Sequence, residues 1–408
     1  MIRKVVQNTF FLSASQMGAR AIGFFYLIFL ARSLGVETFG IYTFTLAFVY
    51  GFVPVADFGL ERLVLRDISR EPGKAPFYFQ RLLPLRFLLT IGAYLGLLAL
   101  GILLKQTSRQ IFYFAIFGFY LIPYSLTYLL VSFQNAREKM GYMAVANITI
   151  PILTAIFGVP VVFLRLPLGF LFLAIVLANL LIALIFFSRA SLWNLRLTWW
   201  WDKKFWQKAL SQSWPFALLL IFSVFYLRTS LILVGILKGA FFTGLYGSAF
   251  KFIEALILVP QSLALALFPL SSRLFAEDKE KLAGIYQKGL AVLLLLSLPF
   301  AFVMLFLPQL IINLAYGKDY LAAVPVFSVL GFAVVLFFLN SLPANIILNS
   351  PKVRQFLPLA ALNLAIKVVL CLILISRFSI VGAAWAVVGG EIAGLLINNW
   401  FVWRIFRN

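Results

Sequence analysis

The sequence contains no histidine and a single cysteine, Cys371, which lies in an apolar run. Without histidine, the commonest transition-metal ligand and general base is missing, and one cysteine cannot build a disulfide framework or a thiolate metal cluster. Acidic residues are also few, 13 Asp and Glu against 34 Lys and Arg. Any chemistry would therefore depend on carboxylates, lysine or arginine, and we expect no resident cofactor.

Charge of either sign is scarce along most of the chain. Charged residues make up 12% of the 408 residues and hydrophobic residues 63%, with a mean hydropathy of +1.02, which excludes a water-soluble fold. A bilayer-spanning helix needs about 20 predominantly apolar residues, so the apolar runs predict an all-α polytopic membrane protein with an uncleaved first helix. The twelve predicted spans are 8–31, 39–60, 82–104, 111–133, 142–164, 168–188, 213–236, 244–270, 289–311, 321–343, 356–376 and 379–403.

Positive charge follows the two sides of the membrane. About two thirds of the Lys and Arg residues fall in segments that should share a side with the N-terminus, and about one fifth fall in the opposite loops. This bias predicts that both termini are cytoplasmic and that the protein lies in the cytoplasmic (inner) membrane. The net charge of +21 is thereby explained by orientation and by contact with anionic headgroups of the lipid bilayer. No nucleic-acid partner is predicted.

The two halves of the chain repeat one another. Shifted by 204 residues, half the chain length, Phe39-Gly-Ile-Tyr42 meets Thr243-Gly-Leu-Tyr246. Each half holds six predicted spans, which predicts two six-helix lobes of the same topology, related by pseudo-two-fold symmetry about the membrane normal. The predicted lobes are residues 1–188 and 213–408. A cytoplasmic interfacial linker at 189–212 joins them, and its tryptophans among basic residues suit the headgroup layer.

Several cations fall inside predicted spans, where charge is costly unless it faces a cavity or a partner. They are Arg20, Arg86, Arg228, Lys251 and Lys367. Arg20 lies on a polar stripe of the first span. The shift of 204 residues relates Arg20 to position 224, and Arg228 lies one helical turn beyond that position. We expect these cations to line a cavity that binds a polyanionic group such as a diphosphate. Two alternatives remain open: Arg86 snorkels to an interface, and Lys251 forms an internal pair with Glu254.

Three acids also fall within the spans, namely Asp57, Glu254 and Glu391. Each is a candidate for carrying a coupling ion, either H⁺ or Na⁺, because buried carboxylates do so in membrane proteins that move solutes. Each acid could equally neutralise a nearby cation, for example Glu391 with Lys367 or Asp57 with Arg62. The sequence favours the neutralising role for Asp57 and does not choose between the two roles for Glu254 and Glu391.

Motifs in both halves resemble those of a known family. They are Ala31-Arg-Ser-Leu-Gly-Val-Glu-Thr-Phe-Gly-Ile-Tyr42, Ala56-Asp-Phe-Gly-Leu60, Arg66-Asp-Ile-Ser-Arg70, Gln134-Asn-Ala-Arg-Glu-Lys139 and Gly244-Leu-Tyr-Gly-Ser-Ala-Phe-Lys251. Together with the helix count and the repeat, they make the chain similar to the polysaccharide transporter family. This family comprises the O-antigen and related lipid-linked oligosaccharide flippases of the multidrug/oligosaccharidyl-lipid/polysaccharide exporter superfamily.

The resemblance implies a V-shaped pair of lobes that work by alternating access. It implies an undecaprenyl-diphosphate-linked oligosaccharide as the cargo, moved from the cytoplasmic to the outer leaflet during polysaccharide, O-antigen or lipopolysaccharide biosynthesis. It places a cationic lumen at Arg20, Arg228, Lys251 and Lys367. Glycan polymerases or glycosyltransferases of the same pathway are the expected protein partners.

Two other functions remain as alternatives. A small-molecule or multidrug antiporter of the same superfamily would share the fold, but export of cationic drugs favours an acidic cavity, and the predicted interior is cationic. A membrane-embedded glycosyltransferase or polymerase would need an acidic base or a metal pair and usually a large loop, and the chain contains no Asp-x-Asp motif. We therefore predict that the protein is not an enzyme.

Overall fold

Long helices make up almost all of the computed structural model, which describes residues 2–195, 198–257, 259–261, 263, 279–350 and 352–407. The helices are α1 (Ile2–Gly51), α2 (Val53–Asp57), α3 (Leu60–Arg70), α4 (Ala75–Leu103), α5 (Ser108–Gly118), α6 (Leu121–Ala136), α7 (Gly141–Phe163), α8 (Gly169–Ser188), α9 (Lys203–Lys238), α10 (Ala240–Leu256), α11 (Lys279–Phe306), α12 (Pro308–Tyr316), α13 (Val324–Asn349) and α14 (Val353–Arg407). No strand occurs within these described ranges. The described part of the chain is all-α, as predicted.

Ten helical stretches of the described residues are long and apolar enough to cross a membrane. Helices α1 and α14 of these stretches are long enough for two spans each, and each helix is interrupted at one residue with a non-helical backbone. These residues are Gly35 (φ 73°, ψ 167°) and Ser379 (φ 53°, ψ −136°). Both lie at or beside a predicted connection between spans. The long helices thus accommodate the twelve predicted spans, and the protein is a multi-pass membrane protein.

Several helix ends differ from the predicted span boundaries, because hydropathy does not detect polar helical turns or proline starts. Helix α9 begins at Lys203, well before the predicted start at 213, and Asp202 Oδ1 caps its first turn by accepting a hydrogen bond from the Phe205 N–H at 3.0 Å. The predicted span 289–311 ends at Phe306, since Pro308 starts the separate helix α12. Of the predicted span 244–270, residues 258, 262 and 264–270 lie outside the described residues.

The chain forms two compact units, and unit 1 combines residues up to Leu27 with Thr45–Val224. Its amphipathic helix α3 buries one face at three- and four-residue spacing, formed by Leu60, Leu63, Val64 and Ile68. This face packs in an apolar core with side chains of α4 and α6, including Phe79 and Phe133. The packing fixes the end of α2 and the start of α3 next to α4, where three charged residues meet.

The predicted linker, of which residues 196–197 lie outside the described ranges, also belongs to unit 1. Trp193 is buried against Tyr142, with ring centroids 4.7 Å apart. Farther along, the side chain of Trp200 is exposed, and its backbone N–H donates to the Gln80 carbonyl oxygen at 3.2 Å. The linker therefore combines a buried anchor with exposed indole rings, and its location at the cytoplasmic headgroup layer stays a prediction.

Unit 2 combines Ile28–Phe44 with the residues from Phe225 onward. A short piece of the first half of the chain therefore packs with the second half. The Tyr320 hydroxyl donates to the Ala31 carbonyl oxygen at 2.9 Å, and Arg32 Nε donates to the Ala315 carbonyl oxygen at 2.7 Å. Each unit combines two separate pieces of the chain, so the units do not test the predicted division. That division, into lobes at 1–188 and 213–408 with a linker at 189–212, stays a prediction about topology.

The two repeat motifs meet inside unit 2, where the part of α1 after Gly35 crosses α10. A Cβ added to Gly40 would overlap the backbone carbonyl oxygen of Ala240, and a Cβ added to Gly244 would overlap that of Val36. The predicted shift of 204 residues exchanges these two contacts, since it relates Val36 to Ala240 and Gly40 to Gly244. The two helices thus cross about a local two-fold axis, at a distance that only glycine permits.

Candidate functional site

The first charged cluster lies in unit 2, where α9 and α10 bring together Arg228, Lys251 and Glu254. Lys251 Nζ lies 2.6 Å from Glu254 Oε2, one helical turn along α10, and Arg228 Nη1 pairs with Glu254 Oε1. All three side chains are largely shielded, with exposed fractions of 18% for Arg228, 9% for Lys251 and 19% for Glu254. The internal pair of Lys251 and Glu254 is present. Two cations share one carboxylate, so these three side chains carry a net charge of +1.

The second cluster lies in unit 1 around Arg86, whose side chain is 1% exposed. Its guanidinium pairs with Asp57 through Nη1, lies 3.4 Å from Glu61 Oε1 through Nη2, and donates from Nε to Ser125 Oγ at 2.6 Å. Asp57 also accepts a hydrogen bond from the Gly59 N–H at 3.0 Å. Arg86 therefore does not snorkel, and the partner of Asp57 is Arg86 rather than Arg62.

The third cluster lies in unit 2 on α13 and α14. Glu391 is 3% exposed, and its Oε2 accepts a hydrogen bond from Asn340 Nδ2 at 2.8 Å. Lys367 is fully buried, interacts electrostatically with Glu391, and lies over the ring of Tyr226 with its Nζ 3.9 Å from the centroid. Glu391 and Lys367 thus interact electrostatically but form no ion pair within 4 Å, so the neutralising role that the sequence left open for Glu391 stays a prediction.

The third cluster holds polar atoms whose hydrogen-bonding capacity is not used. Within the described residues, Lys367 Nζ makes no hydrogen bond, and the Tyr226 hydroxyl, Glu391 Oε1 and Asn363 Oδ1 are buried and interact with one another without a hydrogen bond of normal geometry. A Cβ on Gly390 would lie 3.1 Å from the Tyr226 hydroxyl oxygen, so this part of α14 is packed directly against the cluster. Unsatisfied buried polar atoms are few in native proteins and each calls for a physical explanation.

The remaining predicted cation, Arg20, belongs to unit 1 and is exposed. The prediction that it shares a cavity with Arg228, which belongs to unit 2, is not tested and stays a prediction. Of its predicted polar stripe, Gln16 and Gly23 are partly buried, while the side chains of Thr9 and Ser13 lie outside the described residues.

The sequence profile of the polysaccharide biosynthesis protein family matches residues 5–275, more than half of the chain. The chain belongs to this family. Among curated proteins, this polysaccharide biosynthesis protein is similar to an uncharacterized membrane protein of Methanocaldococcus jannaschii, with 26% identity over 148 residues. The match covers 36% of this chain and 29% of that protein, so this chain matches less than a third of the relative's length.

Solved structures match this polysaccharide biosynthesis protein over nearly its whole length. The lipid II flippase MurJ in an inward closed conformation has a TM-score of 0.80 at 14% identity, covering 97% of this chain and 89% of that one. An inward-facing multidrug resistance MATE family transporter of the MOP superfamily has a TM-score of 0.72 at 14% identity, covering 97% and 95%. A eukaryotic MATE transporter has a TM-score of 0.70 at 12% identity, covering 100% and 98%. The fold is therefore the exporter fold that the sequence predicted.

In this polysaccharide biosynthesis protein, the predicted cations and the predicted acids largely form the same clusters. Arg86 pairs with Asp57, while Arg228 and Lys251 pair with Glu254. Sequence reasoning missed Glu61, because Glu61 lies at the polar start of α3, where an acidic residue is typical of a solvated surface. It also missed Tyr226 and Asn340, because a tyrosine or an asparagine in an apolar span does not by itself indicate a site. The sequence offered one signal for these residues, namely polar residues four positions apart within a span.

Proposed function

We propose that this protein is a flippase that moves an undecaprenyl-diphosphate-linked oligosaccharide from the cytoplasmic to the outer leaflet by alternating access. Membership of a polysaccharide biosynthesis family and the fold of a lipid II flippase support a lipid-linked glycan as the cargo. Both termini are proposed to lie in the cytoplasm, in the inner membrane, beside the glycosyltransferases or polymerase of the same pathway. No chemical conversion of the cargo is proposed.

The cluster of Arg228, Lys251 and Glu254 is the observation that carries this proposal. Its net positive charge lies within the spans, where a diphosphate would otherwise face a low-dielectric medium. Arginine presents planar, paired donors to phosphate oxygens, and lysine adds a compact charge. The shared carboxylate keeps the two cations in place while the cargo is absent, and it lowers the cost of holding two like charges together.

For the coupling ion, Glu391 is the best supported of the three candidate acids. Asp57 and Glu254 each form an ion pair, whereas Glu391 forms none within 4 Å in the described residues, and its buried Oε1 makes no hydrogen bond of normal geometry. An H⁺ or a Na⁺ ion bound there would satisfy that oxygen and would change its attraction to Lys367. Transport driven separately by a pH gradient and by a Na⁺ gradient, in the parent and in Glu391→Gln, distinguishes the two ions.

The proposal is tested in proteoliposomes with a fluorescent undecaprenyl-diphosphate oligosaccharide. We expect Arg228→Ala and Arg20→Ala to slow translocation by at least tenfold, the loss that one charged phosphate contact of about 1.5–3 kcal/mol would give. Arg377→Ala, which removes an exposed arginine of unit 2, is the matched control and should leave the rate unchanged. Parent-like rates in both test variants would contradict the cationic binding site.

A multidrug antiporter is the second candidate, and the shared fold of MATE family transporters favours it. A cationic drug needs an acidic site, and the cluster that contains Glu61 offers two carboxylates for one arginine. Export of a fluorescent cationic dye by the same proteoliposomes, with no movement of the lipid-linked oligosaccharide, would favour this alternative.

A further inference from the structure

A column of tyrosine rings runs through unit 1 beside the Arg86 cluster. Tyr120, directly before α6, and Tyr124 and Tyr128 on α6 follow one another at four-residue spacing, with ring centroids 5.1 Å and 4.3 Å apart. Tyr50 extends the column from α1, with its ring centroid 5.3 Å from that of Tyr120. Four residues of a helix rise about 6 Å, so the hydroxyls form a ladder that climbs the middle of the span.

Three hydroxyls of this tyrosine column, those of Tyr120, Tyr124 and Tyr128, are poorly satisfied by the described residues. The Tyr128 hydroxyl lies 3.3 Å from Asn147 Oδ1, a long hydrogen bond. The hydroxyls of Tyr120 and Tyr124 make no hydrogen bond within the described residues, and neither oxygen is among the fully buried unpaired atoms. Hydroxyls left unpaired against hydrocarbon are unfavourable. We refer to the partly exposed side of Tyr124 and Tyr128, which water or a polar ligand can reach, as the recess.

Charged groups border the recess on the side of α3. Tyr124 interacts electrostatically with Glu61, Arg86 and Asp57, and Tyr128 interacts with Glu61. The Glu61 side chain is 37% exposed, whereas that of Arg86 is 1% exposed. The accessible charge at this recess is therefore a carboxylate, which repels a diphosphate.

We propose that the tyrosine column, with Glu61 and Asn147, binds the sugar part of the cargo. This inference rests on the proposed function and names the place where the neutral glycan is recognised. Sugar hydroxyls both donate and accept hydrogen bonds, and phenol hydroxyls and amides do the same, while a carboxylate accepts two donors at once. The ring contacts hold the hydroxyls in fixed positions, because neighbouring rings pack in tilted or edge-on contact. A rigid ladder of hydroxyls therefore suits an extended oligosaccharide.

The site tolerates different glycans better than a closed pocket would. Each rung contributes a hydroxyl whose hydrogen can rotate toward either a donor or an acceptor. The rungs repeat along the span, so a chain of sugars can shift by one rung and keep the same kind of contacts. The tyrosine column would then act as a track for the glycan during translocation.

The test compares two probes that differ only in the glycan: undecaprenyl diphosphate carrying a tetrasaccharide, and undecaprenyl diphosphate alone. Binding of each to the detergent-solubilised protein is measured for the parent and for the double variant Tyr124→Phe, Tyr128→Phe. The phenylalanines keep the ring contacts and remove only the hydroxyls. Tyr94→Phe is the control, since its hydroxyl donates to the Ala115 carbonyl oxygen outside the column.

We expect the parent and the control to bind the glycan-bearing probe more tightly than the sugar-free probe. The double variant should lose about two- to tenfold of that preference per hydroxyl removed, with unchanged affinity for the sugar-free probe. Equal binding of both probes by the parent, or a preference that survives in the double variant, would overturn the sugar site. A parent that binds neither probe would instead overturn the proposed function.

Discussion

The crossing of the repeat motifs makes a sharp prediction about stability. Replacing Gly40 with alanine places a methyl group where the backbone carbonyl oxygen of Ala240 lies. A backbone atom cannot rotate away as a side chain does, so α1 and α10 must move apart and lose contacts along the crossing. Overpacking of this kind costs about 1–3 kcal/mol, which is roughly a 5- to 150-fold shift of the unfolding equilibrium. Gly244→Ala should cost about the same, because it meets the equivalent oxygen of Val36.

The matched control is Gly92→Ala, since a Cβ there meets nothing within 4 Å. Alanine in a helix is favoured over glycine by about 0.5–1 kcal/mol, so this variant should be as stable as the parent or more so. Thermal unfolding of the purified protein is followed by the fluorescence of its nine tryptophans. The combined Gly40→Ala, Gly244→Ala variant should lose less than the sum of the single losses, because one displacement relieves both overlaps. A Gly40→Ala protein with the Tm of Gly92→Ala would refute the close crossing.

Three further predictions concern the charged residues. Arg86→Leu should destabilise the protein by about 3–5 kcal/mol, because it leaves Asp57 buried without its cation; a Tm equal to that of the parent would show that Asp57 does not need the pair. Lys367→Met and Glu391→Gln should each lower the Tm, and the double variant should lose less than their sum by about 0.5–3 kcal/mol; strict additivity would mean that the two groups do not interact. The pKa of Asp202 is lowered by the hydrogen bond from the Phe205 N–H and by Arg81. The ionised Asp202 therefore stabilises the folded protein fully above the unfolded pKa of about 3.9, and this stabilisation is lost as the pH falls through the lower folded pKa. The Tm of Asp202→Asn should therefore fall less steeply than that of the parent below about pH 4. An equally steep fall would show that Asp202 does not contribute to the acid sensitivity of the fold.

Much of the fold could be predicted from the sequence because the membrane imposes simple length and polarity rules. The breaks at Gly35 and Ser379 lie at or beside connections that hydropathy predicts. The repeat of Phe39-Gly-Ile-Tyr42 in Thr243-Gly-Leu-Tyr246 predicted the symmetry, although not that the two motifs touch. A match in sequence shows that two segments have the same role, whereas their contact depends on how the helices pack.

The candidate site could be predicted only in part, since charges reveal where they lie but not which partner they find. Arg62 is nearer than Arg86 to Asp57 in the sequence, yet Arg62 is exposed, and Asp57 and Glu61 pair with Arg86. The pair of Lys251 and Glu254 could be foreseen, because both lie on one helix three residues apart. The approach of Arg228 to the same carboxylate depends on the crossing of two helices, which no local pattern encodes.

The central claim is that this protein moves a lipid-linked oligosaccharide across a membrane, and one measurement tests it most directly. The purified parent is reconstituted into liposomes with a fluorescent undecaprenyl-diphosphate oligosaccharide, and a membrane-impermeant quencher reports the fraction in the outer leaflet over time. The account predicts loss of the protected inner-leaflet signal at a rate well above that of protein-free liposomes, with an imposed H⁺ or Na⁺ gradient raising it further. A rate equal to that of protein-free liposomes under every gradient would contradict the account.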